Sequence, residues 1–168
     1  MGLEYWDILD YNRKPTGRTH LRGERLGRGE YHLVVHIWVR HPDGRYLIQK
    51  RAAHLAIMPG VWAATGGSAL AGEDSLTAAR RELREELGID APADRMRLKG
   101  SLRREDTFCD IWEVTLDVDP AALHLQTEEV AQARWATREE ILRMRRMGQF
   151  HRYREDYMRV VFGPSAIG

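Results

Sequence analysis

Three glutamates, Glu82, Glu85 and Glu86, stand close together in the stretch Arg81-Glu82-Leu83-Arg84-Glu85-Glu86-Leu87-Gly88-Ile89. If this stretch is helical, at about 100° per residue their side chains fall within an arc of about 100°. Like charges at i and i+4, here Glu82 and Glu86, cost a few tenths of a kcal/mol in an isolated helix, so a cation should compensate them. Arg81 can pair with Glu85, and a solvated, ion-paired helix face is the ordinary explanation of such charges. Glycines at Gly66 and Gly67, shortly before the helix, call for more than that. A cluster of carboxylate oxygens beside a close backbone approach suits a hard divalent cation, Mg²⁺ or Mn²⁺.

The elements that must hold these carboxylates can be read around them. Asp74 is a good N-cap, Ser75 to Leu87 is rich in Ala, Leu, Arg and Glu, and Gly88 can close the helix in the left-handed conformation. Leu76, Ala79, Leu83 and Leu87 then form a stripe to bury beside the acidic arc. Upstream, Tyr31 to Arg40 alternates as a strand: Tyr31, Leu33, Val35, Ile37 and Val39 suit a core, while His32, Val34, His36, Trp38 and Arg40 could line a cleft. Pro42-Asp43-Gly44 marks a turn into a partner strand, Arg45 to Arg51. Leu55 to Thr65 passes through Pro59 and Gly60 into a short apolar strand that exits at the glycines.

Downstream, Arg97 to Arg104 and Phe108 to Leu116 read as two strands, and Thr137 to Glu140 is a capping box opening a helix. Phe150, Tyr153, Tyr157, Met158 and Val161 recur at helical spacing, as a packing helix whose aromatics could also form a homodimer interface. At the other end, Glu4 to Asp10 and Thr16 to Arg22 flank a turn-prone Asn12 to Pro15, which predicts an N-terminal hairpin.

A chain of 168 residues with 43 % hydrophobic and 30 % charged residues suits one globular domain, residues 1–168. Its net charge of +1 gives no reason to expect nucleic-acid binding. No apolar run approaches the roughly 20 residues that span a bilayer, and no targeting segment stands out. Cys109 is the single cysteine, so no intrachain disulfide can form, which is compatible with a reducing cytoplasm. In its apolar surroundings it reads as a core residue rather than a nucleophile.

The spacing Gly67, five residues, Glu73, seven residues, Arg81-Glu82-Leu83, one residue, Glu85-Glu86, one residue, Gly88-Ile89 resembles the Nudix box at every specified position. The resemblance implies an α/β fold, the Nudix α/β/α sandwich with a mixed sheet, preceded here by a hairpin extension over residues 1–29. It implies a pyrophosphohydrolase acting on a small-molecule diphosphate, with the box at residues 67–89 binding metal. The implied ligands are Glu82, Glu85, Glu86 and the carbonyl of Gly66. Arg81 would orient the glutamates, and Glu73 would tie the loop to the helix. Many members carry a further catalytic glutamate in the loop before a later strand, for which Glu129 is the first choice and Glu128 the second.

Substrate contacts are less constrained. Arg51, at a strand end where the family often has a basic residue, suits phosphate oxygens. His32 and His36 could meet phosphates, and Trp62 could stack on a base, although the histidines are more often packed or surface imidazoles and such a tryptophan is more often core. Glu105, Asp106, Asp110 and Glu113 are further acidic candidates, individually more often solvated. Two competing readings follow the same fold. Stretches such as GRTHLRGE and MPGVW resemble isopentenyl-diphosphate isomerase, but that enzyme's cysteine is missing from Trp62-Ala63-Ala64-Thr65. A non-catalytic nucleotide-metabolite sensor would commonly have lost box carboxylates, and this chain keeps them all.

Overall fold

A computed structural model describes residues 2–164. The alternating and helical patterns become nine strands and three helices, in the order β1 (Tyr5–Leu9), β2 (Pro15–Leu21), β3 (His32–Arg40), β4 (Tyr46–Arg51), β5 (Trp62–Ala63), β6 (Thr65–Ser68), α1 (Ser75–Leu87), β7 (Arg97–Arg103), β8 (Thr107–Thr115), β9 (Val130–Ala136), α2 (Arg138–Arg146) and α3 (Glu155–Phe162). Both expected caps of α1 are present. Asp74 accepts from the Thr77 amide at 2.7 Å, and Gly88 adopts φ 69°. Thr137 and Glu140 form the capping box of α2.

β3 is the axis of a mixed sheet. It runs parallel to β8 from His32 opposite Thr107 to Arg40 opposite Thr115, and antiparallel to β6 from Val34 opposite Ser68 to Ile37 opposite Thr65. The turn after β3 does return the chain as β4, yet the two strands pair only at Val39 with Leu47 and Arg40 with Tyr46. β4 then diverges to pair with β9 and β5. The exchange frees the glycine strand β6 to lie on β3, with the end of β4 on its other flank.

Helices cover both faces of this sheet. On one, Ala78, Ala79, Leu83 and Leu87 of α1 pack on Val35, Ile37 and Val39. Each fully buried leucine there contributes roughly 1.5–3 kcal/mol. On the other, Trp38, Tyr46, Ile48 and Ile111 meet Ile141 of α2 and Met158 of α3. The second face of β3 is therefore not a cleft wall along its length: Trp38 is 1 % exposed, and His36 packs edge-on against the stacked rings of Tyr153 and Tyr157. The C-terminal aromatics explain this. Phe150 and Tyr153 precede a helix shorter than the periodicity suggested, and with Tyr157 they are buried within the chain's own core, so they offer no exposed homodimer face. Cys109 belongs to the same core, where burial pushes its thiol up to about 12. Among the described residues no helix is long and apolar enough to cross a membrane.

The N-terminal hairpin is β1 on β2, with Trp6 opposite His20. It is stitched to the domain at several points. Leu9 and Tyr31 exchange backbone hydrogen bonds, and the Ala71 and Gly72 amides donate to the Tyr5 carbonyl at 2.7 Å and to Asp7 Oδ2 at 2.8 Å. At its tip Arg13, in the left-handed region at φ 65°, forms a two-pronged ion pair with Asp110 of β8, which is 1 % exposed. Burial alone would raise the Asp110 pKa, but hydrogen bonds from Arg13 and from Ser101 at 2.5 Å outweigh it and hold it below the ordinary aspartate value. Arg13→Ala leaves that carboxylate buried without its cation and is expected to cost about 1–3 kcal/mol of unfolding free energy at neutral pH. Because a depressed carboxylate pKa stabilises the fold above the ordinary aspartate value and loses that contribution as pH falls through the native one, denaturant titrations of the two proteins should converge at low pH.

Candidate functional site

The acidic arc of α1 opens into a cavity of about 230 Å³. Glu82, Glu85 and Glu86 line it from the helix, and Gly66, Gly67 and Ser68 of β6 form the wall opposite. Arg51 enters from the end of β4 and Glu129 from the loop before β9. That loop is held in place by the Ala52 amide, which donates to the Glu129 carbonyl at 2.8 Å.

Arg81 organises this wall. Its Nε and Nη2 donate to the two oxygens of Glu73 at 2.8 and 3.1 Å, and its Nη1 donates to Glu82 at 2.8 Å and Glu85 at 2.9 Å. Nη2 also reaches the Ser68 carbonyl at 3.0 Å, tying β6 to α1, while Glu73 accepts from the Leu70 amide at 2.9 Å and closes the intervening loop. Burial opposes the charge on Arg81, yet Glu73, Glu82 and Glu85 more than offset it and raise its pKa above the ordinary value.

Glu86 is held differently. Thr65 Oγ1 donates to Gln49 Oε1 at 2.8 Å, and Gln49 Nε2 donates to Glu86 Oε2 at 2.5 Å, all three residues being buried. Burial is the largest influence on this carboxyl and pushes it up to about 8, with the charges of Glu82 and Glu129 acting in the same direction. Glu82 is also raised by burial, partly offset by Arg81. Arg81 compensates Glu82 only in part and Glu86 meets the neutral Gln49, and a bound cation would supply the remaining positive charge.

The residues fit a divalent cation on two counts. The donor set is oxygen, and Gly67 leaves room that any Cβ would fill, since a Cβ there would collide with the Glu82 carboxylate. Gly66 is equally confined against His36 and the Val35 carbonyl. Among the described residues no three His, Cys, Asp or Glu side chains already converge in metal-ligating geometry. Arg81 and Gln49 draw the glutamates to separate partners, so ligation requires them to turn.

Seven of the residues singled out from the sequence thus share one cavity: Arg51, Gly66, Arg81, Glu82, Glu85, Glu86 and Glu129. His32 and Trp62 do not line it. His32 is stacked on Trp6 at 4.0 Å beside a separate cavity, and burial lowers its pKa to about 4. Trp62 lies beside another cavity with Lys50, under the guanidinium of Arg134 at 5.1 Å. Glu105 and Asp106 line the His32 cavity, Asp110 is taken by Arg13, and Glu113 is buried 3.6 Å from Lys99. Sequence reasoning missed Glu4, Arg22, Gln49 and Gln126. Glu4 and Arg22 form an ion pair at 2.6 Å that brings the N-terminal hairpin to the rim of the acidic cavity, and Gln126 completes its lining. Only Gln49 had a local signal, as the polar residue that follows the apolar run Tyr46-Leu47-Ile48.

Comparison with known proteins accords with this arrangement. The NUDIX domain profile matches residues 30–156. An uncharacterized Nudix hydrolase of Listeria monocytogenes, lmo0368, is 46 % identical over 152 residues, 90 % of each chain. Among solved structures, DR0079 from Deinococcus radiodurans has the same fold, with a TM-score of 0.73 at 22 % identity over 88 % of this chain and 91 % of that one. The NUDIX domain of Shewanella oneidensis NrtR, solved with ADP ribose, has a TM-score of 0.55 at 17 % identity, over 67 % of this chain and 77 % of that one. The chain belongs to the Nudix hydrolase family, whose fold and box it carries whole. It is a pyrophosphohydrolase of that family, in which a divalent metal is generally required.

Gly67→Ala tests the confinement of Glu82. No positive φ is strained there, so the new methyl should displace the carboxylate rather than unfold the chain. Activity is expected to fall about 10–100-fold with an unchanged circular dichroism spectrum, the scale of other disturbances to groups that orient metal ligands.

Proposed function

We propose that this chain hydrolyses the diphosphate linkage of a small organic diphosphate in a reaction that depends on Mg²⁺ or Mn²⁺. The observation that carries this reading is the single 230 Å³ cavity in which Glu82, Glu85, Glu86 and Glu129 face Arg22 and Arg51. Glu82, Glu85, Glu86 and the Gly66 carbonyl would hold the cation. When bound, it neutralises charge on the phosphate oxygens and acidifies a water molecule.

The chain's own groups do the rest. The guanidinium groups of Arg51 and Arg22 receive non-bridging phosphate oxygens, for which their forked geometry is suited. A carboxylate of the cavity takes the proton from the attacking water. The water oxygen adds to phosphorus, the bridging P–O bond breaks, and the second phosphate leaves with the electron pair. Glu129, on a loop independent of α1 and lining the cavity, would accept that proton, while the contacts of Arg81 and Gln49 support a positioning role for them toward the box glutamates. The ADP-ribose complex of the Shewanella domain supports a small-molecule substrate of this kind. Isomerisation through a thiol finds no support, because Cys109 is buried in the core on the far side of His36 from Gly66 and does not line the cavity.

The test is hydrolysis of a panel of nucleoside triphosphates, nucleotide sugars, dinucleotides, ADP-ribose and prenyl diphosphates with each metal. Glu85→Gln and Glu86→Gln are each expected to lower metal-dependent turnover roughly 10²–10⁴-fold while the protein remains folded. Full activity in both variants would show that the reaction is carried elsewhere.

A further inference from the structure

A cavity of about 590 Å³ on the α2 side of the sheet is lined by Lys50 of β4, Arg134 of β9 and Arg143 of α2, together with Trp62, Met144 and Gln149. Three separate elements thus each bring one cation to the same space. We infer that this basic cavity is a second ligand site, which takes a chain of two or more phosphates on a small molecule and needs no metal ion to do so.

Strand geometry separates it from the acidic cavity. Consecutive residues of a strand point to opposite faces, so Lys50 lines this cavity while Arg51 lines the acidic one. Cross-strand pairing collects the rest. Trp62 stands opposite Lys50, and Arg134 stands opposite Ile48, two residues from Lys50 and so on the same face of β4. The helix α2 packs on that face through Ile141 and Met144 and brings Arg143 to the cavity. Among the described residues none lines both cavities.

The charge of the lining is not inherited from the chain, which has 26 lysines and arginines against 25 aspartates and glutamates. Among the described residues no carboxylate lines the cavity, and the side chains of Lys50 and Arg143 form no ion pair. Arg134 is compensated in part by Glu140 at 3.5 Å, and its guanidinium lies over Trp62 at 5.1 Å. An adjoining cavity of about 280 Å³, which shares Gly148, adds Arg145, Arg146 and Arg152, again with no carboxylate in its lining. The helix dipole favours cations in the last turn of α2 and so explains Arg143, Arg145 and Arg146. It does not explain why two strands turn Lys50 and Arg134 to the same place. Like charges gathered in this way repel one another, and an anion that bridges them converts the repulsion into attraction. Lysine and arginine both receive phosphate oxygens. One phosphate group carries about two negative charges at neutral pH, fewer than the three cations present, whereas a chain of phosphates can meet all of them.

Titration of tripolyphosphate into the full chain in EDTA, at fixed ionic strength, tests this, because a phosphate chain needs a metal ion to settle among the carboxylates of the acidic cavity. Calorimetry is expected to show saturable binding, and the indole N–H resonance of Trp62, assigned by its loss in Trp62→Phe, should shift. Lys50→Gln and Arg143→Gln should each weaken binding about tenfold, the scale of one charge-assisted hydrogen bond, with an unchanged circular dichroism spectrum. Arg51→Gln, which removes a cation from the acidic cavity instead, should leave the affinity unchanged. ATP titrated in the same way distinguishes a nucleotide from an inorganic source of the phosphate chain, and tighter binding of either one supports the site. The inference is overturned if tripolyphosphate does not bind, if inorganic phosphate binds as tightly, or if neither Lys50→Gln nor Arg143→Gln weakens binding. It is overturned as well if Arg51→Gln abolishes binding, or if a single-stranded oligonucleotide binds more tightly at equal phosphate concentration.

Discussion

The contacts of Arg81 set the geometry on which the acidic cavity depends. One guanidinium holds Glu73, Glu82, Glu85 and the Ser68 carbonyl, and so fixes helix, loop and glycine strand to one another. The arrangement is electrostatically necessary: Glu82 and Glu86 are buried, and desolvation raises both. Concentrating buried carboxylates in one cavity is costly unless positive charge is supplied. Arg81 supplies some from within. The remainder is left for whatever enters.

The sheet makes this possible by an exchange of neighbours. Had β3 paired along its whole length with β4, as the turn between them first suggests, Gly66 and Gly67 would have no strand to lie on and the box helix nothing to face. β3 instead gives its flank to β6 and sends β4 to β9, which carries Arg51 to the cavity and brings Glu129 in beside Ala52. The helices of the opposite face fill the space behind His36 and Trp38, and the acidic cavity opens on the glycine side.

The hairpin is tied into the same construction. Its hydrogen bonds to Ala71 and Gly72 are made to the very loop that Glu73 and Arg81 brace, and its tip is anchored by the buried Asp110. An element outside the family profile, which begins at residue 30, thereby sits at the rim of the site. Differences in such an appended element can change what a shared catalytic centre recognises without touching the centre itself.

What the sequence determined by itself was local. The caps at Asp74 and Gly88, the arc of Glu82, Glu85 and Glu86, the glycines before them and the capping box at Thr137 depend on residues within a few positions of one another, and the structure keeps each. Arg51 and Glu129 could be named because family position singles them out, although only folding brings them to Glu86. The tertiary structure alone decided which strand faces are cleft and which are core. His32, His36, Trp38 and Trp62 alternate like cleft residues, yet period two says only that they share or oppose a face, never what covers it. Gln126 and the Glu4–Arg22 pair were illegible for the same reason: their roles come from contacts between distant parts of the chain, and no spacing within the sequence encodes such a meeting.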